Sequence, residues 1–360
     1  MNNFKIENLI RENIKNLKPY SSARNEFTGD ASLFLDANEN SYGSPVLLPS
    51  PGGEGAGVRL NRYPDPLQWQ LKQELSKIKG VLPQNIFIGN GSDEVIDIAF
   101  RIFCEPKIDN VIICPPTYGM YKVCANINNV EIREIELNEK FQLDVKGILS
   151  ATDVNTRLLF ICSPNNPSGN NMERMDIEIL LNNFPGIIII DEAYINFSRQ
   201  KTFLQELVEY ENLIVMQTLS KAWGLAGLRL GLGFASEKII DLFNKVKPPY
   251  NINQSSQQLG IEALLQIEMV NENIKKIVEQ RMLLQQQLEQ FDFIEKIFPS
   301  DSNFILIKVS DANKLYQYLL SNKIIVRNRS KEALCENCLR VTIGTSNENE
   351  ILINTLKKYE

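Results

Sequence analysis

The sequence predicts an α/β fold in which a large domain with a mostly parallel sheet is joined to a smaller α+β domain. Between residues 86 and 218, short apolar runs alternate with amphipathic segments, which is the pattern of an open sheet flanked by helices. Beyond residue 250, one long polar–apolar stretch is followed by shorter segments of both kinds. A chain of 360 residues is also too long to fold around one ordinary hydrophobic core, so two domains are expected.

The predicted strands of the large sheet are continuous apolar runs, which suits parallel strands buried on both faces. They cover 86–88, 111–114, 157–162, 187–191 and 213–218, with helices over 93–103, 118–127, 172–183 and 203–210. Further on, the pattern predicts one or two long helices over 254–291, strands over 303–309, 324–327 and 339–343, and helices over 312–321 and 347–359. We assign residues 36–250 to the large domain. Residues 1–35 and 251–360 then form a discontinuous small domain with an N-terminal arm.

The composition excludes several classes of function. The chain contains no histidine, so every mechanism that needs an imidazole is ruled out. The net charge is -6 and no basic tract occurs, which argues against a nucleic-acid partner. No apolar run is long enough to span a membrane. The six cysteines are scattered, which indicates a reducing, cytoplasmic compartment, and Cys335-x-x-Cys338 is half a zinc motif without its other half, so no metal is expected.

The segment 218–231 carries the most distinctive chemistry. Lys221 follows the last apolar strand, and glycines and small residues lead from it to Arg229. A lysine that forms a Schiff base must be held at a fixed point and must lose its proton easily. Thr218, Ser220 and Arg229 can donate to a phosphate beside it. Taken alone, the segment is equally consistent with a glycine-rich connection that carries a surface lysine.

Three further loops follow predicted strands at their carboxyl ends, where open α/β sheets bind ligands. Ser92 and Asp93 open a helix after Gly89-Asn-Gly91, so a phosphate could lie on the free N–H groups there, although an ordinary helix cap would look the same. Tyr118 lies in a loop stiffened by two prolines and could stack on a pyridine ring, or could equally be a core tyrosine. Asn166 precedes a proline in a tight loop and could donate to a phenolic oxygen.

Asp191 ends the apolar run 187–190. A carboxylate at the tip of such a strand loses hydration unless it has a partner, and a protonated pyridine nitrogen is one. Tyr194, three residues later, could reach the phenolic oxygen of the same ring. The alternative is an exposed strand-end aspartate.

The order of these motifs along successive strands resembles the fold-type I aminotransferases that use pyridoxal 5'-phosphate (PLP), over most of residues 30–345. The resemblance implies the aspartate aminotransferase fold, with a seven-stranded, mostly parallel sheet, and it implies PLP as cofactor. It assigns Lys221 as the Schiff-base lysine and proton carrier, Asp191 to the pyridine nitrogen, Asn166 and Tyr194 to the phenolic oxygen, Tyr118 to the ring face, and Ser92, Asp93, Thr218, Ser220 and Arg229 to the phosphate.

Five shorter segments resemble the histidinol-phosphate aminotransferases more narrowly: 17–24, 35–43, 61–66, 325–328 and 339–344. This resemblance implies amino transfer from L-histidinol phosphate to 2-oxoglutarate, giving imidazole-acetol phosphate and L-glutamate, in histidine biosynthesis. It implies that Tyr20, Arg327 and Arg340 bind the substrate phosphate and that Asn38 lines the imidazole side. It also implies a homodimer in which Tyr63 reaches the cofactor phosphate of the neighbouring subunit.

Three alternatives stay open on the sequence. Aromatic aminotransferases and threonine-phosphate decarboxylases share the pattern but require a site for the substrate carboxylate. A PLP-binding regulator without catalytic activity usually carries a DNA-binding domain, for which residues 1–35 are too short and too weakly basic. A nucleotide-binding α/β protein would need a phosphate-loop lysine or a full dinucleotide fingerprint, and the chain has neither.

Overall fold

The computed structural model describes residues 5–17 and 62–359. A seven-stranded sheet dominates the described chain. Its strands, in chain order, are β1 (Ile86–Asn90), β2 (Asn110–Ile113), β3 (Glu131–Glu134), β4 (Thr156–Cys162), β5 (Ile187–Asp191), β6 (Leu213–Thr218) and β7 (Leu230–Ala235). The spatial order is β1-β7-β6-β5-β4-β2-β3, and only β7 runs antiparallel to its neighbours. The predicted seven-stranded, mostly parallel sheet is therefore confirmed.

Helices cover both faces of this sheet. They are α1 (Glu12–Lys15), α2 (Trp69–Lys79), α3 (Ser92–Phe103), α4 (Met120–Ile127), α5 (Val145–Ser150), α6 (Arg174–Asn183), α7 (Glu237–Val246), α8 (Gln254–Leu264) and α9 (Ile267–Leu288). Alternate residues of each central strand enter different clusters, so that Ile187 and Ile189 face one core and Ile188 and Ile190 face the other. This two-sided burial explains why the central strands read as continuous apolar runs.

A four-stranded antiparallel sheet forms the smaller part. Its strands are β8 (Ile294–Ile297), β9 (Phe304–Val309), β10 (Arg327–Asn328) and β11 (Cys338–Thr342), in the order β10-β11-β9-β8. One face packs with α9, α10 (Ala312–Ser321) and α11 (Ser346–Leu356). The other face contributes Phe304, Leu306 and Cys338 to a core shared with the large sheet. The small sheet therefore presents its second face toward the carboxyl ends of the large one.

The packing of the N-terminal arm differs from the expectation. We expected residues 1–35 to pack with the small domain, but residues 5–17 lie against the large one. Three apolar side chains of this segment join the cluster that α3 and α7 form with the large sheet: Ile6, Leu9 and Ile14. Arg11 pairs with Glu105 at 3.1 Å, and the Lys245 ammonium donates to the Ile14 carbonyl at 2.7 Å. The segment follows the available apolar surface, which no pattern within residues 1–35 reveals.

Two local predictions were also wrong. The strand expected over 324–327 is reduced to the two residues of β10, because the chain reaches the edge of the small sheet only there. The helix expected over 203–210 is a tighter 3₁₀ helix over Phe203–Val208. No helix among the described residues is long and apolar enough to cross a membrane.

Candidate active site

A cleft with a cavity volume of about 100 Å³ opens at the carboxyl ends of β4, β5 and β6, beside the first turn of α3. Ten of the predicted cofactor-binding residues line it: Ser92, Asp93, Tyr118, Asn166, Asp191, Tyr194, Thr218, Ser220, Lys221 and Arg229. The structure thus brings together motifs that are separated by up to about 140 positions in the chain. Strand ends from one sheet edge meet here, as the parallel topology requires.

The first turn of α3 forms one wall. Gly91, with φ of 79°, precedes the helix, and its missing Cβ leaves room for the Arg229 guanidinium, which a methyl group there would overlap. The Gly91 N–H donates to the Arg229 carbonyl at 2.7 Å, which fixes the two loops together. The free N–H groups and positive dipole end of this twelve-residue helix favour a bound anion.

Arg229 and Thr218 complete this wall. Arg229 adopts a left-handed backbone conformation with φ of 55°, and its guanidinium lies 3.9 Å from the Asp93 carboxylate. The buried Thr218 hydroxyl accepts the Ser220 N–H at 3.0 Å, which shapes the turn that leads to Lys221. Gly231 on β7 lies so close to Gly91 that a side chain would overlap backbone atoms.

Asp191 is buried, with 4% of its surface exposed. The Tyr121 hydroxyl donates to its Oδ2 at 2.6 Å and the Ala193 N–H donates to its Oδ1 at 3.0 Å. Burial raises the pKa of the Asp191 carboxyl to about 6, while these two hydrogen bonds and the positive charge of Lys221 hold the pKa down. The alternative of an exposed strand-end aspartate is therefore wrong, and the protein itself supplies two hydrogen-bond donors to the buried carboxylate.

Lys221 is exposed to the cleft, with its Nζ 5.7 Å from the centre of the Tyr194 ring. The surrounding atoms displace enough water to lower the pKa of its ammonium, and the charges of Arg340 and Arg229 lower it further. A lysine in this environment loses its proton more readily than a lysine surrounded by water, which is what a nucleophile and proton carrier requires.

Two tyrosines, Tyr118 and Tyr194, line the cleft. The half-exposed Tyr118 donates from its hydroxyl to Asp93 Oδ1 at 3.1 Å, and burial raises the pKa of its phenol. Tyr194 is buried and packs edge-on against Phe304 of β9 at 5.1 Å between ring centres. Burial also raises the pKa of Tyr194, so its hydroxyl keeps its proton and can act as a donor.

Arg340 brings the small sheet into the site. It lies on β11 with its guanidinium carbon 5.0 Å from the centre of the Phe304 ring, and it donates to the Asn166 side-chain oxygen. Asn166 is buried, and this contact leaves its Nδ2 donors available for a ligand. Arg327, on β10, is exposed and lies directly opposite Arg340 in the ladder.

The remaining predicted residues are Tyr20, Asn38 and Tyr63. Tyr20 and Asn38 fall outside the described residues. Tyr63 is half exposed and stacks on Tyr250, with 4.5 Å between ring centres, and it is not among the residues lining the cleft.

Sequence reasoning missed the role of Tyr121. It lies on α4, three positions after Tyr118, and is completely buried, with its ring stacked on Phe160 and its hydroxyl bonded to Asp191. A tyrosine in a helix that follows a proline-rich loop gave no sign of its partner, because that partner is 70 residues away on another element.

The donor set of the cleft fits PLP. The α3 N-terminus with its hydroxyl groups and Arg229 suits a phosphate, and the buried Asp191 carboxylate suits a protonated ring nitrogen. Lys221 offers an amine of lowered pKa to an aldehyde, and Asn166 with Tyr194 offers donors to a phenolic oxygen. Within the described part of the chain, no three or more Cys, Asp or Glu side chains are grouped so that they could hold a metal ion.

Comparison with known proteins agrees with this assignment. The family model for aminotransferases of class I and II matches residues 32–356, so the fold and the cleft are those of a PLP-dependent amino-transferring enzyme. A histidinol-phosphate aminotransferase of Bacteroides thetaiotaomicron is 52% identical over 356 residues, which are 99% of each chain. The chain belongs to the family of histidinol-phosphate aminotransferases.

Solved structures show the same fold. The histidinol-phosphate aminotransferase of Clostridium acetobutylicum has a TM-score of 0.76 and 25% identity, covering 83% of this chain and 90% of that one. The enzyme of Sinorhizobium meliloti, solved in complex with pyridoxal 5'-phosphate, also has a TM-score of 0.76, with 23% identity over 82% of each chain. Family membership sets aside the nucleotide-binding alternative.

Proposed function

We propose that this chain transfers the amino group of L-histidinol phosphate to 2-oxoglutarate, giving imidazole-acetol phosphate and L-glutamate, as a step of histidine biosynthesis. The observation that carries the proposal is the convergence of Lys221, Asp191 and the first turn of α3 on one cleft. Full-length relatives with about half of their residues identical are named for this reaction, which supports the choice of substrate.

Bound PLP supplies an electron sink for the charge left when a proton leaves the substrate carbon. Lys221 accepts that proton at its Nζ and holds it until it is returned, and its lowered pKa makes the neutral amine accessible for this task. Tyr121 and the Ala193 N–H hold the Asp191 carboxylate in place, where it would keep the ring nitrogen of bound PLP protonated. Asn166 and Tyr194 would hold the ring by donating to its phenolic oxygen.

The substrate phosphate binds on the small-sheet side. Arg340 is the central contact, because its guanidinium reaches Asn166 in the cleft and packs on Phe304. Arg327 lies opposite it in the ladder and adds a second positive charge. A phosphate dianion suits two guanidinium groups, since each can donate two parallel hydrogen bonds. Tyr20 and Asn38 complete this part of the proposal on sequence resemblance alone.

The proposal includes a homodimer in which Tyr63 reaches the cofactor phosphate of the neighbouring subunit. Its support is that Tyr63 is half exposed while its ring stacks on Tyr250, with 4.5 Å between ring centres. We also place the enzyme in the cytoplasm. All six cysteines are buried free thiols, as a reducing compartment would keep them.

Replacement of Lys221 tests the central assignment. Among the described residues, Lys221 supplies the one amine that lines the cleft, so the Lys221→Ala variant should fold, should take up PLP without a covalent bond, and should lose turnover. Borohydride reduction followed by mass spectrometry reads the covalent bond directly. Lys146→Ala, an exposed lysine on α5, is the matched control and should keep both the bond and the activity. Undiminished turnover in Lys221→Ala would refute the assignment.

A further inference from the structure

The edge of the small sheet carries a third arginine that the proposed substrate site does not use. β10 pairs with β11 so that Arg327 lies opposite Arg340. The Arg329 N–H donates to the Cys338 carbonyl at 2.8 Å, so the pairing continues beyond the last strand residue. Because side chains alternate along a strand, Arg329 lies on the same face as Arg327, two positions away. Cys338 on this face belongs to the core shared with the large sheet, so the three guanidinium groups face the cleft side.

Arg329 is more enclosed than a surface arginine, since its side chain is 23% exposed. The positive charge of Arg329 acts on two groups of the active site, Arg340 and Tyr194. Burial lowers the pKa of the Arg340 guanidinium, and the positive charges of Arg329 and Arg327 lower it further. The charges of Arg340 and Arg329 also oppose the burial that raises the pKa of Tyr194. Arg329 is therefore electrostatically coupled to two residues of the active site.

Several hydrogen-bond donors around Arg329 have no acceptor in the described part of the chain. Within residues 5–17 and 62–359, the Nε atoms of Arg329 and Arg340 and the Ser330 hydroxyl are buried without a hydrogen-bond partner. Among the described carboxylates, Glu332 contacts Arg329, with its oxygen 3.4 Å from a terminal nitrogen of that side chain. Buried donors without partners and neighbouring like charges both cost free energy, and a multivalent anion would relieve both costs.

We propose that Arg329 is a third cationic contact of the substrate anion site and selects a phosphate dianion over a carboxylate. This rests on the proposed function, in which one cleft must accept a phosphate from one substrate and a carboxylate from the other. Arg340 alone can bind a carboxylate bidentately. A phosphate presents three oxygens and about twice the charge, so it can use additional guanidinium donors that a carboxylate leaves empty.

The test uses the PLP-loaded enzyme with Arg329→Gln, which keeps a polar side chain and removes the charge. Inorganic phosphate serves as the binding probe in calorimetry, because bound PLP already fills the cofactor phosphate site. We expect phosphate affinity and kcat/KM for histidinol phosphate to fall by about 10- to 100-fold, the effect of losing one hydrogen bond to a charged group. The kcat/KM for 2-oxoglutarate should change much less. Arg101→Gln, on an exposed part of α3, removes the same charge elsewhere and should change nothing.

A second variant separates anion binding from a purely structural ion pair. Glu332→Gln removes the carboxylate that competes for Arg329, so it should leave phosphate affinity equal or raise it. If Glu332→Gln and Arg329→Gln weaken phosphate binding equally, Arg329 merely holds its loop and the proposal is wrong. It is also wrong if Arg329→Gln binds phosphate as the unaltered enzyme does, or loses activity toward both substrates equally. Failure of the unaltered enzyme to convert histidinol phosphate would instead overturn the proposed function.

Discussion

The hydroxyl of Tyr121 should control the charge of Asp191. It donates to the Asp191 carboxylate at 2.6 Å in a buried setting, where the pKa of that carboxyl is already raised to about 6 by burial. A hydrogen bond to a charged group contributes about 1.5–3 kcal/mol, which corresponds to about 1–2 pKa units. Tyr121→Phe keeps the ring that stacks on Phe160 and removes only this bond. We expect the Asp191 pKa to rise from about 6 to about 7–8 in this variant.

The consequence for stability has a definite sign. The folded-state pKa of Asp191 lies above its ordinary value of 3.8, so the protonated carboxyl favours folding. This contribution is fully present below about pH 4 and is lost as the pH rises through about 6. In Tyr121→Phe the loss should continue to about pH 7–8. The deficit in unfolding free energy of the variant, relative to the unaltered protein, should therefore grow by about 1–2.5 kcal/mol between pH 5.5 and pH 8.5.

Urea unfolding of the cofactor-free protein at these two pH values measures the deficit, because other titrating groups cancel in the difference between the two proteins. Tyr210→Phe is the control. Its hydroxyl accepts from the uncharged Asn182 amide at 3.3 Å on an exposed surface, so the effect of this substitution on unfolding free energy should not depend on pH. A deficit of Tyr121→Phe that is the same at both pH values would refute the reasoning.

Three further results are expected from the same structure. Gly231→Ala should lower stability by about 1–3 kcal/mol and weaken PLP binding in a fluorescence titration, because the added methyl overlaps the backbone of Gly91. Unchanged PLP binding would contradict the role of the Gly91–Gly231 contact in shaping the phosphate site. Phe100→Ala should cost about 3–5 kcal/mol in urea unfolding, since Phe100 is fully buried and stacks on Phe160; a loss below 1 kcal/mol would contradict this packing. Tyr63→Phe should keep its stacking and weaken PLP binding about tenfold, and normal affinity in a verified dimer would exclude a role across the interface.

Much of the large domain could be predicted because its chemistry is local. Strands buried on both faces have to be apolar throughout, so β4, β5 and β6 are visible as continuous runs. The loops after them must carry the polar residues of an α/β site, which is why the sequence predicts Lys221, Asp191 and Asn166 as site residues. The structure places all three in one cleft.

The remaining features depend on contacts between distant parts of the chain. β7 contains two glycines within six residues because α3 and its first turn pack closely on it, and such spacing does not read as a strand. Arg329 resembles any arginine in a polar loop until the β10–β11 pairing aligns it with Arg340. The N-terminal segment binds to whichever apolar surface the rest of the fold leaves open, and here that surface belongs to α3 and α7.

An absorbance titration of the PLP-loaded enzyme tests the central claim most directly. Histidinol phosphate is added first, and 2-oxoglutarate follows after excess substrate has been removed. If Lys221 and its cleft carry out this amino transfer, the absorbance of the bound cofactor should change to that of its aminated form and return with the oxo acid. A PLP-loaded enzyme that responds to an amino acid or to threonine phosphate, but not to histidinol phosphate, would contradict the substrate. A folded protein that cannot take up PLP would contradict the assignment of the cleft itself.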